Sequence, residues 1–83
     1  MNPAIMQLKM ELENSKQKFS QAELRLKRLF FEIQTLSNPY YTSINSVKAE
    51  ELQQCATEMI EVKTQLLDLE EKITEIKNQL GAI

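Results

Sequence analysis

The chain has no histidine and no tryptophan, and only one cysteine, one glycine and two prolines among 83 residues. Each shortage closes off a class of function. Without histidine the commonest zinc ligand and general base is missing. A lone cysteine makes an internal disulfide impossible, and an activated thiol would lack its usual imidazole partner. A single glycine, at position 81, leaves nothing from which to build a phosphate-cradling loop. So little glycine and proline also argues against a β-rich or disordered chain, while abundant Leu, Glu, Lys and Gln favour helix. No apolar run approaches the ~18 residues of a membrane-spanning helix. The start, MNPAIMQLKMELE, has neither the basic opening nor the apolar core of a signal peptide. These absences predict a single small domain, residues 1–83, that is cytoplasmic, not an enzyme, without membrane association and without cofactor or metal.

What is present is periodicity. Ile5, Leu8, Leu12, Ser15, Phe19, Ala22, Leu26, Leu29, Ile33, Leu36 and Tyr40 follow one another in alternating steps of three and four, and only Ser15 is clearly polar. Leu52, Cys55, Met59, Val62, Leu66, Leu69, Ile73, Ile76, Leu80 and Ile83 repeat the pattern without a polar member. Such spacing is the a/d seam of a left-handed coiled coil. Here Leu12 and Leu26 are a positions of the first array, and Met59 and Leu66 of the second. Asn2-Pro3 supplies an N-cap and a first-turn proline. Ser46 is placed to cap the second helix, Glu50 and Glu51 suit its positive end, and Gly81 is a natural stop. The prediction is all-α: helix 1 over about 3–37, a turn over about 38–46 and helix 2 over about 47–80, each ~50 Å long.

The stretch LSNPYYTS matches a short docking pattern, hydrophobic-x-Asn-Pro-x-Tyr, at Leu36, Asn38, Pro39 and Tyr41. It also lies where a helix must end. Pro39 cannot continue helix 1 and drives Asn38 out of the α region, so the stretch is read as a corner, with Tyr40, Tyr41 and Ile44 expected to plug the open end of the hairpin.

Charge predicts which helices pair. Helix 1 carries six basic and four acidic residues, net +2, and helix 2 carries four basic and eight acidic, net −4. Exposed pairs are individually weak, but along a seam the asymmetry favours helix 1 against helix 2 over either against its own copy, and a short connection favours an antiparallel hairpin. The register that leaves no seam residue unpartnered sets Ile5 opposite Ile83, Leu12 opposite Ile76, Phe19 opposite Leu69, Ala22 opposite Leu66 and Ile33 opposite Cys55. A slip of one heptad would bring Lys48 opposite Ile33.

Two groups of residues remain outside the seam. Met10, Leu24 and Phe31 share the f position of helix 1 with Phe30 beside them at e, and Ile60 and Leu67 share b of helix 2. They are the candidate protein interface and predict further assembly into a helical bundle, either a homo-oligomer or a complex with a helical protein partner. Lys16, Lys18, Arg25, Lys27 and Arg28 are enough to contact phosphates and are candidate anion contacts, although Glu23 interrupts them. The pairs Glu50/Glu51, Glu58/Glu61 and Glu70/Glu71 avoid a and d and read as a solvated face. Cys55, at a seam position, reads as a buried inert thiol. A long hairpin without a cleft suits presentation of helical faces, so the expected function is a protein–protein interaction or assembly module of the small adaptor, co-chaperone or inhibitor type. The alternative is a nucleic-acid or nucleotide binder that uses the basic face of helix 1.

Overall fold

A computed structural model describes residues 2–40, 43 and 48–82. It holds two helices, α1 (Pro3–Ser37) and α2 (Ala49–Gly81), packed side by side as an all-α hairpin. The molecule measures 64 × 15 × 14 Å. α1 begins where Asn2 Oδ1 accepts a hydrogen bond from the Ala4 amide at 3.0 Å, with Pro3 as the first helical residue. That carboxamide satisfies one of the orphan donors of the first turn.

α1 ends as proline chemistry requires. Asn38, preceding Pro39, is extended (φ −77°, ψ 120°), and its Oδ1 accepts from the Tyr40 amide at 2.9 Å. This Asx turn is the corner expected from the sequence. Tyr40 does not extend the seam, however. It is 93% exposed, because the turn at Asn38 takes the chain out of helical phase before residue 40. The expected plug therefore fails at Tyr40, while Tyr41, Ile44, the proposed cap Ser46 and the seam residue Ile83 lie outside the described residues. α2 starts two residues later than expected: Lys48 is not helical (φ −86°, ψ 73°) and gives no side-chain cap. At the other end the helix runs through Gly81 to a right-handed Ala82, and Gly81 has no positive φ, so no left-handed glycine stop forms.

The described seam residues from Ile5 to Leu36 and from Leu52 to Leu80 are all buried or half-buried, as the heptad pattern demands. One apolar cluster joins Ala22, Leu29, Cys55 and Val62 to Leu26, Ile33, Leu36, Met59 and Leu66. The facing pairs Ala22–Leu66, Leu26–Val62, Leu29–Met59 and Ile33–Cys55 all fall inside it, whereas a one-heptad slip would move Val62 level with Phe19 and Leu66 level with Ser15. The charge asymmetry appears as one contact between the helices, Arg25 to Glu58 at 3.6 Å.

The seam is not equally deep on its two sides. Every fully buried residue among those described, Ser15, Ala22, Leu29, Cys55, Val62 and Ile76, is at d, and every a residue within the two helices is only half-buried. Two causes act together. Most of the buried d residues are small and recede between the backbones. The g positions beside them carry long side chains such as Lys18, Arg25, Glu32, Glu51 and Glu58, whereas α2 offers only Ala49 and Ala56 at the e positions nearest the corner, beside a.

Ser15 is 3% exposed. Replacing it with alanine removes a hydroxyl from an apolar seam and improves helix propensity, so Ser15→Ala is expected to raise stability by about 0.5–1 kcal/mol, read as a higher denaturation midpoint with unchanged helicity.

Candidate functional site: an apolar face spanning both helices

The antiparallel pairing decides where the residues outside the seam go. Around a helix the order is a, e, b, f, c, g, d, so e and b flank one side of the seam and g the other. In an antiparallel pair, g meets g and e meets e; the Arg25–Glu58 contact joins two g positions. The e and b positions of α1 and α2 therefore share one face of the hairpin.

The large hydrophobics left exposed outside the corner lie on this face or at its outer edge. Phe30 (e), with Met10, Leu24 and Phe31 (f), belongs to α1, and Ile60 and Leu67 (b) belong to α2; all are 51–68% exposed. Met6, at b of α1 and 48% exposed, joins them without belonging to the f or e strips of the sequence pattern. The repeat of methionine at 6 and 10 was the available signal. None of these residues is at c or g. The six expected interface residues are thus all solvent-facing, and the fold gathers strips from two helices onto one surface.

The half-buried a residues open onto the same face. Between the helices lies a cleft of about 390 Å³ lined by Leu26, Lys27, Phe30, Phe31 and Met59. The Phe30 and Phe31 rings meet edge to face, centroids 6.4 Å apart at 70°, a favoured arrangement of aromatic quadrupoles. On α2 the hydroxyls of Thr57 and Thr64, at f, and Thr74, at b, donate to the carbonyls of Gln53, Ile60 and Glu70 at 3.0 Å, so each hydroxyl proton is engaged within the helix.

The candidate anion contacts do not converge. Lys18 and Arg25 flank the g side, where they line a small cleft with Gln21, Ala22 and Gln65. Lys27 lines the apolar cleft on the opposite side, Lys16 is at e and Arg28 at c. Arg25 is already engaged with Glu58.

The acidic pairs stay on exposed or half-exposed positions, and among the described residues no group of three acidic or cysteine side chains has metal-binding geometry. Cys55, buried at d, shares a small recess with Glu32, Glu51 and Glu58. Burial raises its thiol pKa above the ordinary value of 9.0, and the Glu32 carboxylate, by charge and hydrogen bonding, then Glu58 and Glu51 raise it further. A protonated, enclosed thiol is a poor nucleophile, in keeping with the inert role expected of it.

A pH dependence follows. The folded state holds this proton more tightly than the unfolded chain, so its contribution to stability is present below pH 9 and is lost as pH rises toward the elevated folded value. Wild type should lose stability relative to Cys55→Ala as pH rises above about 9, in paired denaturant titrations. Glu32→Gln should speed alkylation of Cys55 at fixed pH.

A two-helix hairpin that leaves large apolar side chains of both helices exposed among charged ones is the class of molecule that fold and surface define. No family model matches the chain, and no curated protein or solved structure shows significant similarity to it.

Proposed function

We propose that this protein is a non-enzymatic assembly module that presents helical faces to another helical protein or to itself, in the manner of small adaptors, co-chaperones and inhibitors. The observation that carries the reading is the exposure of Phe30, Ile60 and Leu67 on one face, with Phe31 and Leu24 at its outer edge, over a seam whose a residues are half-buried. Exposed apolar surface contributed by two helices is what a helix-in-groove or bundle contact uses. No described helix is long and apolar enough to cross a membrane, so a lipid-spanning role does not account for these side chains.

The nucleic-acid or nucleotide alternative gains little support from the surface, because Lys16, Lys18, Lys27 and Arg28 point to different sides and Arg25 is paired. Native mass spectrometry of the protein purified from its own cells separates the two readings. Assemblies containing only polypeptide are expected. Retention of a nucleotide or oligonucleotide, with binding that weakens at a log–log salt slope of about −0.7 to −0.9 per phosphate neutralised, would replace the assembly reading with the binding one.

A further inference from the structure

We infer that the occupant of the apolar face is a second copy of this hairpin, docked about a two-fold axis along the bundle so that α1 of each copy lies against α2 of the other. This rests on the assembly reading above and names its partner.

The first argument is angular. At 100° per residue, the a/d seam and the e/b face of each helix are centred about 100° apart. One extra helix laid between α1 and α2 would form a triangle, with each helix touching its neighbours at about 60°; a second hairpin forms a square, at about 90°. Phe30 at e, with Ile60 and Leu67 at b, matches the square. The f side chains Leu24 and Phe31 lie at its outer edge.

Area points the same way. A compact monomer of 9.7 kDa exposes about 5,100 Å² by the usual mass scaling, whereas this hairpin exposes 6716 Å². The excess accommodates a standard interface of about 800 Å² per partner. The exposed rings of Phe30 and Phe31 border an open cleft that Leu26 and Met59 also line. In a two-fold contact each copy offers both knob and hole.

Charge selects the orientation. The basic-on-acidic preference that pairs α1 with α2 inside the hairpin applies again between copies when α1 meets α2, and not when like helices meet. An axis along the bundle keeps the levels of the chain, so Lys16 comes level with Glu70 and Glu71 of the other copy, and Glu23 with its Lys63. Within one chain none of these five residues is in an ion pair, the recorded pairs of the described residues being Arg25–Glu58 and Lys48–Glu51.

The test is sedimentation equilibrium of the full chain at micromolar concentrations, with circular dichroism. Wild type is expected at twice its 9.7 kDa mass, with a thermal midpoint that rises with protein concentration. Phe30→Ser/Phe31→Ser, and separately Ile60→Ser/Leu67→Ser, should each weaken the dimer at least about 100-fold, as central anchors do. Orientation is read by spin labels on Gly81→Cys in a Cys55→Ala background, a position where an added Cβ has open space around it. Labels within about 30 Å, the span of a few helix spacings, support the proposed pairing; labels about 50 Å apart or more, the reach of oppositely directed helices, overturn it.

A wild-type monomer at 100 μM with a concentration-independent midpoint overturns the second copy as occupant. Should that monomer still appear with a different polypeptide in native mass spectrometry, the assembly reading survives; without one, both fall. A dimer that withstands both double substitutions overturns the assignment of this face.

Discussion

Val62→Asp should unfold the hairpin. Val62 is 1% exposed, the most deeply enclosed apolar residue of the described core. It lies in the cluster with Leu29, Cys55, Leu26 and Leu66. A carboxylate there must either be desolvated as an ion or take up a proton, and it enters on the side already occupied by Glu58, whose partner Arg25 is engaged. An unpaired buried charge costs about 4 kcal/mol or more, and a domain this small has roughly 3–5 kcal/mol in hand. The expected result is loss of most of the helical circular dichroism at micromolar concentration. Glu61→Ala, one residue away on the exposed face, should change stability by less than about 0.5 kcal/mol. Equal behaviour of the two variants would mean that the heptad frame is wrong.

Leu29→Ala is the second large effect, and it tests the unequal depth of the seam. Leu29 is a d residue 5% exposed, whereas Leu66, an a residue, is half-buried. Both are leucines in the same cluster, so their side chains lose the same atoms on truncation. They differ in the cavity left behind. At Leu29 the hole is enclosed by Ile33, Met59 and the neighbouring backbones and collapses poorly. At Leu66 it opens toward the e/b face and admits water. Leucine-to-alanine changes in cores cost about 2–5 kcal/mol according to how well the site relaxes. Leu29→Ala should fall near the top of that range and Leu66→Ala near the bottom, in denaturant titrations run side by side. In the dimer the gap should narrow, because a second copy would close the open side of Leu66. A reversed order would contradict the d-side burial.

Much of this molecule was legible in its sequence because the coiled-coil signal is local and repetitive. Alternating three- and four-residue steps over both arrays leave one way to bury the apolar residues, and Asn2-Pro3 and Asn38-Pro39 bracket α1 by local chemistry, the asparagine side chains capping amides and the prolines fixing the backbone. The failures fall where periodicity stops. Tyr40 is in step with the seam, but the Asx turn at Asn38 had already ended the helix. Gly81 resembles a stop, yet a glycine continues in the right-handed region when its neighbours do. Lys48, which precedes α2, is non-helical and gives no side-chain cap of its own.

The helices, their seam, their preference for each other and the identity of the leftover apolar residues were decided by residue order, because each depends on spacing along one chain. Where those leftovers gather was decided by the tertiary structure. Phe30 and Phe31 at e and f of one helix, and Ile60 and Leu67 at b of the other, belong to separate strips until the antiparallel pairing turns e toward e. The uneven burial of a and d has the same origin: long g side chains close over one side of the seam, while alanines at 49 and 56 leave the other side open beside the exposed phenylalanines. A heptad pattern treats a and d alike, and only the packing of two particular helices makes one of them the inside of the hairpin and the other the floor of its apolar face.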